Sequence, residues 1–377
     1  MQRERSATAS YLHRHLSEMR QRHRSILLNV RAVTSTVVLM GTVVQAQPPW
    51  VVDWFHDQVL WHPIGIPNQI KIDPNTDRTL VMIKDPDLFW YPDCSGSGWI
   101  RHSLDSTGIF IEPCCSWCLT VPGDDQYCGT ICPLNGPVVS LFTEFGGPTN
   151  YVYAAVFGQE PVSIGCGNSS NLDWNSGHPP SAGDGSSLFI GGVDNLCSSR
   201  VWKTTYPYVS AYTDWCPCIP HAFESLDQYG DTLLAVGLPS VTKVVKANAE
   251  LAGTFEVFSG AALGNGWSCT SGDTLFWTGQ FGGGDLHVGK YVINSGPLWE
   301  VSLPYTGDPV ELHDDGLGRL WTAVGNTIIW LDQSDGSYNT YPFALSVDAM
   351  DMYNGSIVIT GDAGGGTSYI MRAHIIP

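Results

Sequence analysis

The stretch Asp73-Pro74-Asn75-Thr76-Asp77-Arg78-Thr79 sets oxygen-bearing side chains at every second position: Asp73, Asn75, Asp77 and Thr79. A hard cation such as calcium takes several oxygens converging from one tight loop, and this alternation matches the first half of a calcium loop. Arg78 stands where the full loop requires glycine, and Lys84 where it requires glutamate. A polar hairpin turn accounts for the same residues.

A second acidic pattern runs through the C-terminal half: Asp227 and Asp231, Asp273, Asp314 and Asp315, Asp348 and Asp351, with His313 beside Asp314. Each group precedes a short apolar run. Carboxylates converging from several such places raise one another's pKa and attract a cation. The chemistry implied is calcium-assisted hydrolysis, or lactone opening, with an Asp or His313 as general base. Turn formation explains an Asp before a strand equally well. No G-x-S-x-G, H-E-x-x-H, P-loop or dinucleotide fingerprint occurs in the chain.

The eleven cysteines are Cys94, Cys114, Cys115, Cys118, Cys128, Cys132, Cys166, Cys197, Cys216, Cys218 and Cys269. Arg20, Arg22, Arg24 and Arg31 lead into the apolar run Ala32–Val44, with Val44 and Ala46 as the small residues of a cleavage site. Residues 1–46 therefore read as an export signal, with Met19 an alternative start and Gln47 the first mature residue. The 13-residue apolar run is short against the roughly 20 residues that span a bilayer. No stable membrane insertion is expected after cleavage. The periplasm, the cell surface and the medium all fit. In oxidising surroundings all eleven cysteines are disulfide candidates, and an odd number leaves one unpaired or intermolecular.

Without residues 1–46 the chain keeps 11 basic against 34 acidic side chains, a formal charge of −23. No nucleic-acid partner is expected, and an anionic membrane is a poor partner for such a charge. Calcium, cationic proteins and neutral glycans are favoured. Asn168 and Asn354 begin N-x-S sequons.

These residues need elements to hold them, and the elements are written as a repeat. The octets Gly230–Gly237 (GDTLLAVG) and Gly272–Gly279 (GDTLFWTG) nearly coincide. Ser186–Gly192, Gly318–Gly325 and Gly355–Gly361 share their design of turn residue, apolar run and glycine. Their first apolar residues, Leu188, Leu233, Leu275, Leu320 and Ile357, are spaced by 45, 42, 45 and 37. Leu80 and Val152 or Tyr153 extend the series to seven units. Asp335-Gly336 and Asn354-Gly355 mark hairpins. The pattern predicts an all-β chain: a β-propeller of seven blades with three to four antiparallel strands each, spanning residues 47–377. The cysteine-rich stretch at about 105–135 reads as a stapled insertion. Trp50–Trp61, alone after the signal, is expected to pair with the C-terminal strand and close the ring.

In layout the units resemble blades of secreted propeller proteins of the NHL and YVTN kinds, over about residues 65–377. The Gly-His…Trp-Asp signature of WD40 repeats is missing, and Ser103–Phe110 departs from a sialidase Asp-box at Thr107. The resemblance implies the fold and carries over no functional residues; the export signal, the cysteines and the missing catalytic motifs favour an exported binding or interaction protein with a protein or glycan ligand on a propeller face. A channel-mouth hydrolase and a disulfide-linked matrix component are the alternatives.

Overall fold

The computed structural model describes residues 48, 50–57, 66–72, 77–85, 98–109, 129–132, 139–144, 151–156, 162–164, 172–173, 181–183, 187–194, 197–205, 217–258, 266–281, 284–364 and 367–376. The signal-like segment, Asp73, Asn75 and most of the cysteines lie outside the described residues.

Every described element is a strand or a turn, and among the described residues the strands fall into seven antiparallel sheets. β1 (Trp50–Asp57) stands apart in sequence from its sheet. β2 (Ile66–Ile72), β3 (Thr79–Asp85) and β4 (Gly98–Leu104) form the first consecutive sheet. β5 (Gly129–Cys132), β6 (Val139–Glu144), β7 (Tyr151–Val156) and β8 (Val162–Ile164) form the next. A third combines β9 (Leu172–Asp173), β10 (Ser181–Gly183), β11 (Ser187–Asp194), β12 (Cys197–Thr205) and β13 (Cys218–Ile219). Three regular meanders follow. They are β14 (Ser225–Tyr229) to β17 (Leu251–Glu256) through β15 (Thr232–Gly237) and β16 (Ser240–Val245); β18 (Trp267–Ser271) to β21 (Gly296–Leu303) through β19 (Thr274–Gln280) and β20 (Leu286–Val292); and β22 (His313–Asp314) to β25 (Tyr338–Pro342) through β23 (Arg319–Val324) and β24 (Thr327–Asp332). The last sheet holds β26 (Ala349–Tyr353), β27 (Ser356–Gly364), β28 (Thr367–Ile375) and β1.

Val152 and Tyr153 lie in β7, the third strand of their sheet, whose second strand is β6, whereas the other six of the seven repeat anchors fall in the second strand of theirs, from Leu80 in β3 to Ile357 in β27. These strands are apolar without alternation because neighbouring sheets cover both their faces. In β19, Thr274 through Gly279 are all buried. The fourth strands are the reverse: β17 and β21 are largely exposed. Burial therefore falls from the inner strands outward. The first strands touch in the cyclic order β14, β18, β22, β26, β2, β5, β10 and back to β14. That closed ring of meanders is a β-propeller. β5, at the C-terminal edge of the stretch read as an insertion, is an inner strand of this ring.

Local chemistry explains the joints. Asn354 and Gly355 both adopt left-handed φ, 48° and 76°, as a two-residue hairpin of primed type demands. Gly237 and Gly361 end their apolar runs where the segment leading into the inner strand crosses. A Cβ there would lie 1.7 Å from the Ala222 carbonyl oxygen and 2.1 Å from that of Ser346, so no other residue fits. Trp277 and Trp321 are core residues, both essentially buried.

The expected terminal pairing is present. β1 runs antiparallel to β28, from Trp50 opposite Ile375 to Asp57 opposite Tyr369. Trp50 is 4% exposed and packs edge-on against Trp321 and Tyr341 of the neighbouring sheet, at 6.0 and 4.9 Å between ring centroids. Truncating it leaves a cavity that two sheets share. Trp50→Ala is expected to cost about 3–5 kcal/mol in urea unfolding, whereas Val52→Ala, at an exposed position of the same strand, changes it by less than about 0.5 kcal/mol.

Candidate functional site

The inner strands carry one repeated polar position. Asp227 in β14, Cys269 in β18, His313 in β22 and Asp351 in β26 each pair with the residue after the repeat anchor: Leu234, Phe276, Trp321 and Val358. They are the same place in four successive sheets. From there the side chains reach the next sheet. Ser268 Oγ donates to Asp227 Oδ2, His313 Nε2–H donates to the Met350 carbonyl at 2.8 Å, and the Ile72 N–H donates to Asp351 Oδ2 at 2.7 Å. Cys269 packs with Leu312 in the apolar cluster between its sheet and the next.

At the last two of these positions the polar contacts merge into one cluster. Lys71 of β2 hydrogen-bonds to Glu311 and lies 3.5 Å from Asp351 Oδ1. His313 Nδ1 lies 3.5 Å from the same Asp351 oxygen, and its Nε2 lies 3.6 Å from Glu311. Three sheets contribute: β22 and the segment leading into it, β26, and β2. The side chains of Lys71, Glu311, His313 and Asp351 keep only 12, 19, 12 and 10% exposure. Burial works against the Lys71 ammonium, yet the charges of Glu311 and Asp351 together hold its pKa above the usual lysine range. Burial pushes His313 below the usual imidazole range; Lys71 adds to this, and Asp351 and Glu311 oppose it.

The other acidic candidates are distributed rather than convergent. Asp231 and Asp273 sit exposed in the turns between first and second strands, and their carbonyls accept Lys246 N–H and Ile293 N–H, each at 2.9 Å. Asp314 accepts the Gly316 N–H and Gln333 Nε2, at 2.8 and 2.7 Å. Asp315 is buried and fully occupied. Its Oδ1 takes the Leu317 and Arg319 amides, and its Oδ2 takes Arg319 Nε and Trp321 Nε1. Asp348 precedes β26, at the opposite end of its sheet from those turns, and accepts Ser346 Oγ. Of the calcium-loop candidates, Asp77 gives its carboxylate and carbonyl to Arg372, at 2.5 and 2.7 Å, and Thr79 is buried in β3. The structure thus joins His313 and Asp351, and adds Glu311 and Lys71, which the acidic pattern alone does not reveal. Lys71 stands backbone-paired with the anchor Leu80, which is the signal that marks it.

Cys269 is a free thiol. Burial, with Asp227 and Asp314 nearby, holds its pKa well up, so it stays protonated. Asp227 is pushed up to about 6 by burial, partly offset by the hydroxyls of Ser268 and Ser225. Its folded pKa exceeds its unfolded value of 3.8, so the folded state holds the proton longer. Stability is therefore greatest below pH 4 from this group and falls as pH rises to about 6. Two units correspond to on the order of 2–3 kcal/mol. Asp227→Asn, which keeps the Ser268 contact, is expected to flatten that part of the stability profile between pH 4 and 7 in urea unfolding.

No family model matches the sequence, and no curated protein matches it. Solved structures do match the fold. The WD40 domain of Neurospora crassa Pan2 superposes with a TM-score of 0.58 at 10% identity, covering 86% of this chain and 95% of that one. The WD40 β-propeller domain of Doa1 gives 0.56 at 11%, covering 86% and 96%. The WD40 domain of Toxoplasma gondii coronin gives 0.50 at 10%, covering 87% and 88%. The chain has the β-propeller fold, without the sequence signature of the WD40 repeats it superposes on.

Proposed function

We propose that this protein is an exported binding protein that engages a protein or glycan partner through the outer surface of its propeller. The observation that carries this is where the apolar side chains are left uncovered. Val51, Val52 and Phe55 of β1, Leu251 of β17, Leu298 of β21 and Tyr338 of β25 are exposed, and all lie on the outermost strands of four successive sheets. Asp227, Glu311, His313 and Asp351, on or beside the inner strands, by contrast each hydrogen-bond within the chain. A surface whose apolar residues recur from sheet to sheet is suited to a partner that wraps the rim. Export rests on the signal-like segment, and the acidic balance favours a neutral or cationic partner.

A second reading has its own support. Glu311, His313 and Asp351 form a largely buried group on and beside the inner strands, where a propeller-channel hydrolase would place its metal and base. One experiment separates the two. The full chain is produced with its own leader, the released product is crosslinked to its surroundings, and captured partners are identified. A product beginning at Gln47 is expected. Capture by the unaltered chain is expected to be lost in the double variant Val52→Asp, Leu298→Asp and kept in Glu311→Gln, which alters the inner group. If capture survives the surface changes and is lost in the inner variant, the rim is not the binding surface.

A further inference from the structure

His313 is held by a contact that decides which of its nitrogens carries the proton. The Met350 carbonyl can only accept, so Nε2 bears the hydrogen of that 2.8 Å bond. Nδ1 then presents its lone pair toward Asp351 Oδ1, 3.5 Å away. Two acceptors facing each other in a largely buried site repel unless positive charge lies close to them, and the Lys71 ammonium, 3.5 Å from the same Asp351 oxygen, supplies part of it. A bound cation meets that requirement, and so does a second proton on the ring.

Ligand atoms from Glu311, His313 and Asp351 all lie within 4.8 Å of one another, the one such grouping of His, Cys, Asp and Glu among the described residues. A tetrahedral ion with ligands at roughly 2.0–2.1 Å has edges of about 3.3–3.4 Å. The separation of Nδ1 from Oδ1, 3.5 Å, is close to such an edge. An imidazole that ligates through one nitrogen while donating the other N–H to a backbone carbonyl is the usual arrangement of a metal-bound histidine. One imidazole with two carboxylates suits a first-row divalent metal better than calcium, which takes oxygens alone.

We infer that Glu311, His313 and Asp351 bind a divalent transition metal of the zinc class, which ties the sheet of β22 to the sheet of β26 beside β2. Lys71 is the internal competitor at this site, because its ammonium occupies the same carboxylates. Three protein ligands leave one coordination position for water, and the residual exposure of the side chains gives the ion a way in. The site does not depend on which outer face meets a partner, so either proposal can fail without the other.

The test is cobalt(II) titration of the full chain, stripped with chelator and dialysed, followed by visible d–d absorption and then by zinc competition. One equivalent of cobalt is expected, displaced by zinc. His313→Ala is expected to weaken uptake by more than the roughly 10–100-fold that loss of an outer-shell partner brings. The pair Asp231→Asn, Asp273→Asn, on exposed turns, is expected to leave uptake unchanged. Lys71→Met removes the competing charge and is expected to tighten uptake about tenfold, a 1.4 kcal/mol gain in binding free energy. That variant carries the test if His313→Ala does not fold. Absence of saturable uptake, or uptake indifferent to both His313→Ala and Lys71→Met, overturns the site. So does a metal-free His313 ring protonated on both nitrogens, read from nitrogen chemical shifts, in a chain that takes up no cobalt, because a proton then supplies the positive charge between Nδ1 and Asp351.

Discussion

A ring of sheets is stable only if it closes, and here closure is a single strand pairing. Each four-stranded meander has two faces to cover and cannot cover both alone. Neighbours cover them, but the first and last sheets would lack a neighbour if the chain did not return to its start. β1 resolves this by joining β28 over its whole length, so the last sheet is built from both ends of the chain. The joint is reinforced on both sides. Trp50 packs on Trp321 of the sheet before, and Arg372, only 3% exposed, reaches Asp77 of the sheet after. Trp54 and His56 of β1 also contact the Ser106 and Gly108 carbonyls of the turn beyond β4.

Closure also accounts for the polar cluster. Near the axis the inner strands of adjacent sheets come close together, and their side chains set the angle between sheets. An apolar pair tolerates sliding there, whereas a hydrogen-bonded polar pair has one geometry, and a broken one costs several kcal/mol. At this interface Asp351 takes the Ile72 amide while Lys71 reaches back to Glu311 and Asp351. In a chain with 36 acidic and 18 basic side chains, a lysine buried at an inner strand is a costly placement. Its two carboxylates are what make the placement tolerable. A similar role falls to third-strand lysines farther out, where Lys203 and Lys290 donate to the carbonyls of Lys246 and Gln333 in the next sheet.

How much of this the sequence makes legible follows from what each feature depends on. The second strands are legible because burial on both faces forces an uninterrupted apolar run, and the glycine at its end is forced by the crossing segment at Gly237 and Gly361. In the N-terminal half Leu80 finds its second strand, whereas Val152 and Tyr153 mark β7, a third strand that carries a similar apolar run, one strand beyond β6. The site is less legible because it depends on counting back from the anchor through a turn of variable length. In the sheets of β14, β18 and β26 four residues separate the anchor from its partner on the first strand. In the sheet of β22 five do, Asp315 through Arg319, a longer turn that the Asp315 carboxylate holds by its bonds to the Leu317 and Arg319 amides. That extra residue puts His313, not Asp314, at the position equivalent to Asp351. Glu311 and Lys71 lie outside any acidic pattern, so only pairing register brings them to the site.

The exposed outer strands have to reconcile two demands. Apolar side chains there can serve a partner, but an uncovered strand edge also invites pairing with another copy. The outer strands carry residues that oppose such pairing. Asp53 interrupts β1, Pro297 and Glu300 flank Trp299 in β21, and Pro342 ends β25. Proline removes a ladder donor, and a charge that pairing would bury at a sheet edge is penalised, so edge-to-edge association is disfavoured while face-on contact with Leu298 or Val52 is not. The same strands can therefore keep apolar side chains exposed while their edges resist pairing. That selectivity for side-chain contact over backbone pairing is what an interaction surface on the rim of a propeller requires, and it arises from a few residues placed on strands whose inner neighbours already supply the stability.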